Sequence, residues 1–197
     1  MATEPLATQA LNIMHDWIQS ESLRKHCHAV ADSMKHFARL RNEDADLWEA
    51  VGLLHDMDYE RYPNLERSPT DGHPFVGVAW LRDHGWSEKV CRAILSHADY
   101  ANVSRETPLE KTLYAVDELS SFIVAVALVR PTKSIHDVDV RAVKKKMKDK
   151  AFARAVDRED IARASEQLGM PLDAVIAEVI TALKADAKCL GLVGSVH

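Results

Sequence analysis

Three cysteines in 197 residues, Cys27, Cys91 and Cys189, are an odd number, lie far apart and form no CxxC pair. A disulfide framework and a zinc knuckle are therefore not expected, and a reducing cytoplasm is the expected compartment. Glycine and proline are scarce, with 7 of each, which argues against long disordered stretches. Long apolar runs are missing: the longest, Phe122 to Val129, falls well short of the ~20 residues that span a bilayer. The opening stretch MATEPLATQALNIM has neither a basic region nor an apolar one, so neither export nor membrane insertion is expected. An excess of positive charge is missing too. A formal charge of -5 and a pI near 6.0 exclude bulk attraction to nucleic acid or to an anionic membrane as the main driver of function. HExxH, a Walker A loop, a Gly-rich dinucleotide turn and a GxSxG elbow are all absent, which removes the zincin, nucleoside-triphosphatase, Rossmann and serine-hydrolase readings.

What remains is a chain with 47% hydrophobic and 28% charged residues, long enough to bury one core. Apolar residues recur at spacings of three and four, and strict alternation is hard to find, so the expected fold is all-α, a helical bundle in a single domain over 1–197. Leu6, Ala10, Ile13 and Trp17 share one face of a first helix, and the Ser20-Glu21-Ser22 cluster caps a second. A third is expected from about Glu43 to Met57 with Asn42 as its cap, followed by a loop over 58–72. A fourth begins near His73-Pro74, and Ser87 caps a fifth that carries His97. Thr107-Pro108-Leu109-Glu110 combines an N-cap, a first-turn proline and a capping-box glutamate. The helix it starts carries Asp117 and runs into Phe122 to Val129, which reads as a buried central segment. Residues 137–190 read as three further helices, with breaks near Asp157 and at Gly169-Met170-Pro171. The lysine-rich run 144–150 has apolar residues at helical spacing beneath it and reads as a solvated helix face.

The residues that carry chemistry are histidines and aspartates in a particular order. His55-Asp56 follows Val51, Leu53 and Leu54 at the end of an apolar helix, where an isolated charged pair is costly to bury. A divalent cation compensates it, since imidazole nitrogen and carboxylate oxygen are both good ligands. His26 lies on the helix before, His73 and His97 on the helices after, and Asp117 on the long helix beyond. The separations between successive sites, 29, 17, 24 and 20 residues, each correspond to about one helix plus one loop, so each site comes from a different element of the bundle. Cys27 points about 100° away from His26 around the helix and reads as packed. His15, His28, His36, His84, His136 and His197 read as structural or exposed.

This order resembles the HD superfamily of metal-dependent phosphohydrolases, with GLLHDMDYE and GHPFVGVAWLRDHG similar to the segments of HDIG-type members. The likeness covers about residues 20–130, leaving a helical C-terminal extension over about 134–197. It implies a divalent metal held by His26, His55, Asp56 and Asp117, and in members that bind two ions also by His73 and His97. Mn, Fe, Co, Ni, Zn and Mg are not distinguished. The lysine of HDIGK, found in some cyclic-dinucleotide phosphodiesterases, is replaced here by Met57-Asp58-Tyr59, which argues against that substrate.

The reaction implied is hydrolysis of a small phosphate ester, a nucleotide among the candidates. Asp56 or Asp117 accepts a proton from water, and His73 and His97 either hold a second ion or donate to the leaving oxygen. Asp58, with Tyr59, Glu60 and Arg61, is expected to shape the substrate end of the pocket, and Arg61 and Lys133 are candidate phosphate contacts. Two alternatives stand beside hydrolysis: an HD-type oxygenase with two irons, and a metal-stabilised binding protein without turnover. The expected partner is a small phosphorylated substrate, with no nucleic acid and no membrane. Self-association through the C-terminal helices is left open.

Overall fold

The computed structural model describes residues 4–154 and 156–194, so His197 lies outside the described residues. The order of elements is α1 (Leu6–Trp17), α2 (Glu21–Leu40), α3 (Ala45–Leu54), α4 (Phe75–Asp83), α5 (Glu88–His97), α6 (Pro108–Leu128), α7 (Val140–Met147), α8 (Arg158–Leu168) and α9 (Leu172–Ala185). Short 3-10 turns lie at Asp99–Ala101 and Ile135–Asp137. The fold is all-α, and among the described residues the only extended pairing is an isolated bridge between Ser134 and Val193. No helix among these residues is long and apolar enough to cross a membrane.

The chain divides into two compact units, Met1–Tyr114 and Ala115–His197. In the first, α3 packs on α1, α2 and α5, and α4 packs on α5. Its core is built from Met14, Ile18, Met34, Phe37, Trp48, Leu54, Leu81 and Ile94, all buried. In the second, α9 packs against α7 and α8 and buries Val175, Ile176, Val179 and Leu183.

Most helix starts obey local chemistry. Ser20 accepts from the Leu23 amide, and Asp157 caps α8 through the Glu159 and Asp160 amides. The expected capping box on α6 is present: Glu110 N–H donates to Thr107 Oγ1 at 3.3 Å, and Thr107 N–H donates back to Glu110 Oε2 at 2.8 Å.

Other boundaries differ from expectation. Asn42 does not cap α3; it sits in the left-handed region at φ 55 and ends α2, a conformation asparagine tolerates. Asp44 caps α3 instead, accepting from the Asp46 and Leu47 amides. Asp46 in turn accepts from the Leu6 and Ala7 amides, so the start of α1 is capped from α3. Ser87 holds the N-cap position of α5 but its hydroxyl makes no capping bond. α3 ends at Leu54 rather than Met57, and α4 begins at Phe75. The apolar run of α6 is not buried all round: Phe122, Ile123, Val126 and Ala127 are buried, whereas Leu128 and Val129 are exposed.

Candidate metal centre

Two close backbone approaches position the site. At Gly52 a Cβ atom would lie 2.5 Å from Ala31 Cα and 2.7 Å from Ala31 N, so only glycine lets α3 lie this tightly on α2. His26 on α2 and His55 at the end of α3 thereby meet, their Nε2 atoms 3.1 Å apart. At Gly77 a Cβ would lie 2.9 Å from Asp58 Cγ, and the Gly77 amide donates to Asp58 Oδ2 at 2.6 Å. This contact seats the start of α4, and with it His73, against the turn that follows the His-Asp doublet.

The imidazoles come in two pairs. His73 and His97 place their Nε2 atoms 3.2 Å apart. Asp56 stands between the pairs: Oδ2 lies 3.4 Å from His26 Nε2 and 3.6 Å from His55 Nε2, and Oδ1 lies 3.4 Å from His73 Nε2 and 3.6 Å from His97 Nε2. Burial alone would raise the Asp56 carboxyl, but the imidazoles of His55, His26, His97 and His73 outweigh it and hold the group well below the usual carboxylate range. Asp56 is thus an anion aimed at four ring nitrogens.

The far side of three rings is tied down. His55 Nδ1 donates to the Gly52 carbonyl at 2.8 Å, His97 Nδ1 to the Ile94 carbonyl, and His73 Nδ1 to Asp58 Oδ1 at 2.7 Å. A carbonyl or carboxylate oxygen only accepts, so each of these rings carries a proton on Nδ1 and turns Nε2 toward its partner ring and Asp56. This is the arrangement in which metal-bound histidines are held. Neighbouring donors bound to one ion at about 2.0–2.2 Å in a tetrahedral or octahedral shell lie roughly 2.8–3.6 Å from each other, and the observed separations fall in that range. The donor set fits divalent metal.

Asp58, expected at the substrate end, is instead fully buried behind His73. Glu60 and Arg61 are committed to the end of α1 and the start of α2: Glu60 accepts from the Gln19 and Ser20 amides, and Arg61 donates to the Asp16 carbonyl and lies over the Trp17 ring. Tyr59 is half exposed with its ring centroid 5.2 Å from that of His73. Lys133 is exposed in the turn after α6, in the second unit. Asp117 lies on α6, half-buried, just past the division between the units. His84 stacks on Trp80 at 3.6 Å, and Cys27 is buried as expected.

Several contributors escaped the sequence reading. Asn64 donates to the Ser68 and His73 carbonyls at 2.9 and 3.0 Å and accepts from the Ser68 amide, which staples the 58–72 loop to His73. Tyr100 also donates to the His73 carbonyl, at 3.0 Å. Burial, then the charges of Asp56 and Asp58, push the Tyr100 phenol up to about 12, so it stays a donor. The Arg67 charge acts on the same phenol in the opposite direction. Arg67 itself is exposed, with no ion pair or side-chain hydrogen bond among the described residues. Only Asn64, a turn-former amid Pro63, Ser68 and Pro69, carried any signal in the sequence.

An all-helical unit with four imidazoles converging on one carboxylate has the donor set of a divalent-metal site. The HD domain model matches residues 23–121, and the chain belongs to that family, the HD superfamily of metal-dependent phosphohydrolases. No curated protein and no solved structure matches.

Proposed function

We propose that the protein hydrolyses a small phosphate ester, a nucleotide being one candidate, at a centre that would hold two divalent ions, with Asp56 set between its two histidine pairs. The observation that carries this reading is the division of Asp56, one oxygen toward His26 and His55 and the other toward His73 and His97. In this assignment His26 and His55 serve the first ion, with Asp117 as the further ligand that membership of the HD family implies, and Asp56, His73 and His97 form the second group. Bound ions supply the Lewis acidity that phosphoryl transfer to water requires.

The chain's own residues do the rest. Asp58 holds the His73 ring, and Asn64 and Tyr100 hold its backbone carbonyl, so all three are positioning residues. Asp56 or Asp117 is assigned to take the proton of the attacking water. The phosphorus–oxygen bond to water forms, the ester bond breaks, and the leaving oxygen takes a proton from solvent.

Arg67 is assigned to the phosphate, in place of Arg61 and Lys133. Arg61 is spent on the α1–α2 joint, Arg92 pairs with Glu110, and Arg105 pairs with Asp99, whereas Arg67 stands near Tyr100 uncommitted. A guanidinium whose charge reaches Tyr100 favours an anionic substrate and so hydrolysis over the oxygenase alternative. We assign the reaction to the cytoplasm, where Cys27, Cys91 and Cys189 persist as thiols.

The test is metal content with phosphatase assays on a nucleotide panel. Two ions per chain, lost together with activity in Asp56→Ala, support the reading; two irons with oxygen-dependent turnover and no phosphate release would overturn it. Arg67→Ala should raise KM about tenfold with metal content unchanged, a loss of about 1.4 kcal/mol in substrate binding.

A further inference from the structure

The second unit carries a basic concavity that the metal centre does not use. It has a volume of about 530 Å³ and is lined by Val140, Arg141, Lys144, Lys145 and Lys148 from α7 and its C-terminal end, with Asp173 from the first turn of α9. Arg141, Lys144, Lys145 and Lys148 follow the i, i+3, i+4, i+7 spacing, so they form one stripe along the helix. The opposite side of α7 is anchored by buried Val143. Lys146 points elsewhere, toward Asp149 at 3.8 Å and over the Phe152 ring.

Of the four cations in the stripe only Lys144 is neutralised, by Asp173 at 2.7 Å. Arg141, Lys145 and Lys148 have no ion pair or side-chain hydrogen bond among the described residues. Like charges one turn apart destabilise a helix. That such a stripe stands on a chain with net charge -5 makes it a local feature rather than a reflection of overall composition. The start of α9 lies beside the concavity, which Asp173 lines, and has no side-chain cap, so its amides add to the same field. Asp173 is the one opposing charge.

We infer that this concavity binds a small anion carrying two or more linked phosphates, with Arg141, Lys145 and Lys148 as its contacts and Asp173 as a competitor that the ligand displaces from Lys144. The stripe is about 10 Å long at the helical rise, longer than one phosphate group, which selects a chain of them. A concavity of this volume suits a compact ligand rather than an extended nucleic-acid strand.

The probe is inorganic tripolyphosphate, titrated by calorimetry into the full chain at low ionic strength. Expected are one site per chain, weaker binding of orthophosphate, and affinity that falls as salt is added. Lys145→Glu with Lys148→Glu should weaken binding more than about tenfold, and Asp173→Asn should strengthen it severalfold. Asp56→Ala should leave this binding unchanged, which separates the site from the metal centre. The three lysine and aspartate positions are exposed, and circular dichroism and melting curves check that the variants fold. Binding that survives the double charge reversal, that disappears in Asp56→Ala, or that is surpassed by a single-stranded oligonucleotide at equal phosphate overturns the inference.

Discussion

At the scale of single residues, Asp56 and Asp58 show how two aspartates in one turn take different work. The turn carries Tyr59 N–H back to the Asp56 carbonyl and Tyr62 N–H back to that of Asp58, and it leaves Asp56 facing the imidazoles while Asp58 is drawn under the His73 ring. Charge density in the sequence pointed Asp58 toward substrate because nothing in residue order reveals the pocket made by Gly77. Its carboxylate has two acceptor oxygens and both are used, one by His73 and one by the Gly77 amide. Asp58→Ala should therefore free the ring and lower metal affinity about 10- to 100-fold, measured by competition with a chelator. Asp58→Asn should also lose affinity, since its amide group can satisfy His73 only by presenting a donor to the Gly77 donor. Unchanged affinity in both variants would remove Asp58 from the site.

At the scale of elements, the site depends on how closely α2 and α3 approach. Gly52→Ala places a methyl group against the Ala31 backbone, and should cost about 1–3 kcal/mol in stability, read from urea unfolding. It should also weaken metal binding, because His26 and His55 are carried by the two helices it forces apart. The start of α6 makes a separate prediction with a definite sign. Burial raises the Glu110 carboxyl, but the Thr107 and Glu106 amides and Arg92 outweigh it and lower it below the ordinary glutamate range. A lowered value in the folded state means stability that is present above the unfolded pKa and lost as pH falls through the folded one. Glu110→Gln should cost about 1 kcal/mol at neutral pH, with wild type and variant converging as the medium is acidified. Parallel unfolding curves across that range would contradict this. That capping box was legible in four consecutive residues, whereas the role of Asn42 was not: Asn and Asp at 42 and 44 are both good caps, and only the chain reversal after α2 decides between them.

At the scale of the whole molecule, the helical periodicity gave the order of all nine described helices, and the order His26, His55-Asp56, His73, His97, Asp117 pointed to the family. Legible features were those set by local spacing. What sequence order could not convey were contacts across elements: the two glycines that permit close approach, the Asn64 staple, the binding of Arg61 to the end of α1, and the basic hollow under a helix that reads as merely solvated. Each depends on what a neighbouring element presents, which one-dimensional spacing does not encode.

The burial of the cysteines has a practical consequence. Cys189 is exposed, while Cys27 and Cys91 are fully buried in the first unit, and burial raises the Cys91 thiol, which slows its reaction further. A maleimide should modify one thiol quickly and the other two only when α2 or α5 opens. Cys27 directly follows His26 on α2, so an ion that clamps this helix to α3 should slow its alkylation in proportion to occupancy. Mass spectrometry of the Cys27 peptide, with and without added metal, then reports metal binding without any substrate at all.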